Sequence, residues 1–158
     1  SSTIAADVAQ RIAITRLTDK NIIYNFKIDG NVLGGHSAGA AMTITTISAL
    51  LGKELRDDVV ITGTIQPDGT IGPVAGLLEK AEAASLGNKK LFLIPKDQSV
   101  ITYYEKEIKE IEKNGLLVYR SSYTPKQFDL KKYGKTELNL EVQEVDTIYD
   151  VMEIMLKE

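Results

Sequence analysis

Two short segments of this chain carry residue types that could do covalent chemistry. Gly34-Gly35-His36-Ser37-Ala38-Gly39-Ala40-Ala41-Met42 sets a serine among small residues just ahead of a helical pattern. Thr62-Gly63-Thr64 runs through a turn to Gly76-Leu77-Leu78-Glu79-Lys80-Ala81, which sets a lysine on an apolar helix face. A serine hydroxyl is a poor nucleophile at neutral pH and needs a base within hydrogen-bond reach. Histidine is the common base, and a neutral lysine amine can replace it. The chain has no cysteine and one histidine, His36, so few other nucleophilic schemes are open to it. A lysine accepts a proton near neutrality only when it is desolvated or stands near positive charge. Leu77, Ala81, Ala83 and Ala84 lie within about a turn of Lys80, so desolvation is the expected route.

Gly34 and Gly35 permit a sharp bend and the close approach of a substrate. Ser37 is expected at or near the start of a helix over 37–51, where backbone N–H groups attract negative charge. Ala38, Gly39 and Ala40 leave that surface uncluttered. The result would be an oxyanion hole, in which one lost donor costs about 10²–10³ in rate. Each residue also has an ordinary structural use. Serine caps helices, a lone lysine is usually a solvated charge, His36 can simply fill a turn, and Thr62 suits a strand. Only the combination points to catalysis.

The bulk properties bound the rest. At 158 residues the chain is long enough for one domain with a real core. A net charge of −3 and the lack of clustered Lys and Arg argue against a nucleic-acid surface. With no cysteine and one histidine, a metal would have to be held by carboxylates, and no metal or other cofactor is expected. No run of 18 apolar residues occurs. The chain opens on Ser1 rather than Met, so an anchor or further strands would lie outside it, and localisation is left between cytoplasmic and membrane-associated.

The elements that must position these residues follow from periodicity. Residues 3–17 put Ile4, Ala5, Val8, Ile12 and Ala13 on one helical face, with Thr3 as the N-cap. A strand is expected over 21–28, a turn at Asp29-Gly30-Asn31, and a buried helix over 37–51 ended by Gly52. Residues 58–65 read as a strand, Gln66–Gly69 as a turn, and Thr70–Val74 as the partner strand. A helix over 76–86 ends at Gly87, and Lys90–Ile94 is a short apolar strand closed by Pro95. Residues 97–113 read as a charged amphipathic helix stopped by Asn114-Gly115, then Leu116–Tyr119 as a strand. Residues 121–136 read as an exposed polar loop. A strand over 137–145 and a helix from an Asp146 cap to Leu156 complete the chain. Helices alternating with short strands give an α+β (mixed α/β) class in one domain over 1–158.

The serine motif, Thr62-Gly63-Thr64-Ile65, and Gly72-Pro73-Val74-Ala75-Gly76-Leu77-Leu78-Glu79-Lys80 together resemble the proteolytic domain of the Lon protease family. The likeness runs without a gap from Gly34 to about Pro95 and includes Lys89-Lys90-Leu91-Phe92-Leu93-Ile94-Pro95. It implies Ser37 as nucleophile, Lys80 as general base and Thr62 as the partner that orients the lysine. Gly35, His36 and Ala38 would shape the serine turn, and backbone N–H groups around Ser37 would form the oxyanion hole. The implied substrates are polypeptides, cleaved through an acyl-enzyme. The family tends to form hexameric rings, so the resemblance also implies a homo-oligomer.

The chain departs from that pattern in places. An acidic triplet such as Asp-Gly-Pro is replaced by Gly34-Gly35-His36, which is similar to a branch of archaeal Lon-like serine proteases lacking an ATPase module and expected to be membrane-tethered. The family's earlier strands do not precede residue 3, and the resemblance weakens over 96–158. No G-x-x-x-x-G-K-[ST] phosphate loop occurs, so ATP-independent cleavage of flexible polypeptides is expected. The alternatives are an inactive peptide-binding or scaffold module, and an amidase built on the same dyad.

Overall fold

The computed structural model describes residues 2–17, 21–26, 35–113 and 116–157. Its centre is a three-stranded parallel sheet in the order β1 (Val59–Ile61), β4 (Leu91–Pro95), β7 (Glu141–Val145). Strand β4 is buried along its whole length, which explains why Leu-Phe-Leu-Ile reads as a continuous apolar run. Successive strand side chains point to opposite faces, and here they feed two separate cores. Leu91 and Leu93 join one core with α1 (Ser2–Ala13), α2 (Gly39–Leu51) and α5 (Ile148–Met155). Phe92 and Ile94 join the other with α3 (Leu77–Leu86) and α4 (Leu130–Glu137). Helices therefore cover both faces of a short parallel sheet.

Two antiparallel ribbons make the fold α+β. The first pairs β2 (Thr64–Ile65) with β3 (Ile71–Gly72) across a turn closed by Gly69 N–H donating to the Gln66 carbonyl at 2.9 Å. The second pairs β5 (Val100–Lys113) with β6 (Leu116–Asp129), in register from Val100↔Asp129 to Lys113↔Leu116.

Helix α2 ends where expected, with Gly52 in the left-handed region at φ +65°. Helix α5 starts on Thr147 rather than Asp146, through a capping box in which Thr147 and Asp150 satisfy each other's backbone N–H groups. The 58–65 strand is interrupted at Thr62-Gly63, which turns the chain from β1 into β2. Residues 21–26 form no strand. Tyr24 instead reaches α2 by a 2.7 Å hydrogen bond to Thr46 Oγ1. The expected turn at Asp29-Gly30-Asn31 and the Asn114-Gly115 stop lie outside the described residues.

Two longer segments also depart from expectation. Residues 100–113 form a strand, not a helix, and 121–136 are the end of β6 and all but the last residue of α4, not a loop. Ile108 and Ile111 sit at helical spacing, but Val100-Ile101-Thr102-Tyr103-Tyr104 is a β-branched and aromatic run that fits a pleated surface. Strand β6 carries similar residues at Val118, Tyr119, Tyr123 and Thr124, opposite Glu105 to Ile111, so strand pairing wins over local helical periodicity. Asp129 caps α4 by accepting from Lys132 N–H at 3.0 Å, a local signal hidden among lysines.

Candidate active site

Ser37 is held by the strand break opposite it. Gly63 N–H donates to the Ser37 carbonyl at 2.9 Å, and Ala40 N–H donates to the Gly63 carbonyl at 3.0 Å. Thr62 Oγ1 donates to the same Ser37 carbonyl at 3.3 Å. This close seating requires residues without side chains. A Cβ on Gly39 would lie 2.9 Å from Ile65 N, and one on Gly63 would lie 2.5 Å from Ile71 Cγ2. Gly35 has φ +94°, where an L side chain is strained. His36 is exposed, and its carbonyl accepts from Gly39 N–H at 3.1 Å, so its backbone closes the turn.

Ser37 does not cap the helix. The N-cap of α2 is Ala38, without a side-chain hydrogen bond, and α2 begins two residues after the serine. Among the described residues the Ser37 hydroxyl makes no hydrogen bond. Not every backbone N–H group near Ser37 is unpaired. Gly39 and Ala40 N–H groups are already committed to His36 and Gly63 carbonyls. The N–H groups of Ser37 and Ala38 donate to no acceptor among the described residues.

Lys80 comes from the first turns of α3, entered through Gly76 at φ +69°. The buried face of that helix is Leu77, Ala81 and Ala84, while Lys80 is half-buried beside it. Its amine is not held dry. Nζ donates to the Ala75 carbonyl at 2.7 Å in an exposed contact, because the left-handed Gly76 turns that carbonyl back over the helix start. Thr62 likewise meets the serine's backbone rather than the lysine.

Ser37, Thr62 and Lys80 nevertheless line one groove of about 420 Å³, together with Ala38, Ala41, Val60, Ile61, Ala83, Ala84, Gly87, Lys89 and Phe92. The sequence reading named Ala38, Ala83 and Ala84 but missed the apolar wall formed by Val60, Ile61 and Phe92. Val60 and Phe92 are register partners on β1 and β4, so alternation along two paired strands was the signal that could have found them. Lys89 stands on the rim with Nζ donating to the Asp57 carbonyl at 2.7 Å. The groove thus gathers a serine hydroxyl and N–H groups that are unpaired among the described residues, together with a lysine amine. That set can support acyl transfer. Among the described residues no group of His, Asp or Glu could hold a metal ion.

Residues 4–120 match the family described as the Lon protease (S16) C-terminal proteolytic domain. The chain is 41% identical over 80 residues to a Lon protease of Vibrio parahaemolyticus, covering 51% of this chain and 10% of the relative. It is 44% identical over 80 residues to a Lon protease of Azospirillum brasilense, covering 51% and 9%. It is 34% identical over 121 residues to the archaeal Lon protease of Methanocaldococcus jannaschii, covering 77% and 18%. The aligned part is thus under a fifth of the length of each of these relatives.

Proposed function

Since this chain belongs to the Lon protease (S16) C-terminal proteolytic domain family, we propose that it is a serine peptidase in which Ser37 attacks and Lys80 serves as general base. The observation that carries this reading is the shared groove, lined by the lysine and by a serine whose hydroxyl has no partner among the described residues. In the attack the Ser37 proton passes to the neutral Lys80 amine as Oγ bonds to the scissile carbonyl carbon. The Ser37 and Ala38 N–H groups receive the developing oxyanion. Collapse of the tetrahedral intermediate breaks the C–N bond, and the lysine returns the proton to the leaving amine. Water then hydrolyses the acyl-enzyme by the same route.

For this step Lys80 Nζ must exchange its Ala75 partner for Ser37 Oγ. The Lys80 side chain would have to turn away from Ala75 into the groove, and a substrate seated there would strip water from the amine. These 158 residues contain no phosphate loop that would couple ATP to unfolding, so acting by themselves they would cleave polypeptides that are already flexible. The Ala75 hydrogen bond favours one competing reading, a peptide-binding module whose dyad stays apart. A serine-directed covalent probe and an unstructured peptide substrate separate the two. Labelling at Ser37, with hydrolysis lost in Ser37→Ala and Lys80→Ala, supports the peptidase. Full hydrolysis by purified Lys80→Ala, or peptide binding without labelling, rejects it.

A further inference from the structure

The groove that holds Ser37 and Lys80 carries a second cation, Lys89, which the proposed chemistry does not use. Both lysines are half-buried, and no Asp or Glu lines the groove with them. Carboxylates close by in sequence are engaged elsewhere. Asp58 pairs with Arg56 at 2.8 Å, and Glu82 accepts from the Tyr133 hydroxyl at 3.4 Å. The Asp58 carboxyl is held below its ordinary range first by the Arg56 hydrogen bond and only last by the charge of Lys89. Among the described residues Lys89 makes no ion pair. A lysine ammonium has three donors, and Lys89 uses one of them on the Asp57 carbonyl.

Helix α3 sets the spacing of the two cations. Lys80 stands in its first turns, Gly87 is its C-cap, and Lys89 follows just beyond. At about 1.5 Å per residue, the helix carries the chain roughly 10 Å from Lys80 to Gly87. An extended peptide advances about 3.3 Å per residue, so that span corresponds to about three peptide residues. Along α3 the wall between the lysines is Ala83 and Ala84, and Val60 and Phe92 complete its apolar surface. None of these offers a partner to a charged side chain.

We infer that Lys89 is a specificity-determining residue of this groove, taking a carboxylate side chain of the bound polypeptide about three residues from the bond presented to Ser37. This rests on the peptidase reading above and names the substrates it favours, flexible polypeptides with Asp or Glu at that spacing. A groove lined by two cations and no carboxylate attracts such a chain and repels one with Lys or Arg in the same place. A lysine suits the task, because its compact charge sits on a flexible stem. It can meet a carboxylate with its remaining donors while keeping the Asp57 carbonyl.

A set of unstructured peptides with one Glu or one Lys moved along the same neutral sequence tests this, read by cleavage and by fluorescence anisotropy. With the wild type, kcat/KM should favour Glu over Lys by about three- to ten-fold at one position near the third residue from the cleaved bond. The difference should lie mostly in KM, since the attraction acts on binding. Lys89→Arg should keep the preference, Lys89→Met should remove it, and Lys89→Glu should reverse it. A reversal could not come from a groove that had merely unfolded. Raising the salt should shrink the preference. Anisotropy with Ser37→Ala should give the same order without hydrolysis. Failure of the peptidase reading therefore shows as no labelling and no cleavage by the wild type, while the charge preference is still read from binding. Equal binding of the Glu and Lys peptides at every position overturns the assignment, as does a preference that survives Lys89→Glu.

Discussion

Replacing Gly39 with alanine sets two opposed effects against each other at the serine turn. Gly39 opens α2, and alanine in place of glycine in a helix gains up to about 1 kcal/mol. The added Cβ, however, would stand 2.9 Å from Ile65 N and 3.0 Å from Ile65 Cγ2. Ordinary contact begins near about 3.5 Å, so α2 and β2 must separate by roughly 0.6 Å. The nearest atom is backbone and cannot rotate away. Overpacking of this kind costs about 1–3 kcal/mol, which exceeds the propensity gain, so net destabilisation of up to about 2 kcal/mol is expected. The displaced element carries the Ser37 turn, held by the Ala40–Gly63 and Gly63–Ser37 hydrogen bonds. Peptide hydrolysis should therefore fall by at least about ten-fold, since sub-ångström misplacement of a reacting group is costly. Urea unfolding and kcat/KM on an unstructured peptide measure the two effects. A Gly39→Ala protein more stable than wild type and equally active would refute the steric reasoning.

Thr62→Val removes the hydroxyl that donates to the Ser37 carbonyl while keeping the side-chain volume. It should cost about 1 kcal/mol in chemical denaturation, with Thr62→Ser recovering most of it. Truncating the core at Leu93 or Ile94, both fully buried, to alanine should cost about 2–5 kcal/mol, read as a lowered urea midpoint. Thr147→Ala should cost about 1 kcal/mol through loss of the α5 cap. Hydrogen bonds from the Thr147 and Asp146 N–H groups hold the Asp150 carboxyl below the usual carboxylate range. A depressed folded value contributes stability above the unfolded value of about 3.9 and loses it as pH falls through the folded one. The stability gap between wild type and Asp150→Asn should accordingly shrink as pH drops from neutrality toward 3, and a constant gap would contradict the assignment.

The hairpin shows where local pattern misleads. Ile108 and Ile111 alone suggest a helix, and 121–136 alone suggests a loop. Pairing along fourteen register positions from Val100 to Lys113 outweighs both. The strand break at Thr62-Gly63 was missed although Gly63, a residue type depleted in strands, stands at it. By contrast, the glycine ends of α2 and α3, the β4 run and the turn at Gln66–Gly69 were legible from residue chemistry at short range.

The sequence alone determined the family likeness, the mixed α+β class and the residues on which any acyl-transfer chemistry would have to rest. These depend on residue type and order, which need no coordinates. Only the tertiary structure decided that Ser37 precedes its helix without capping it, that Thr62 and Gly63 grip the serine's backbone, and that the Lys80 amine reaches Ala75. Those outcomes depend on hydrogen bonds and van der Waals gaps between segments far apart in the chain, where a few tenths of an ångström select one partner over another.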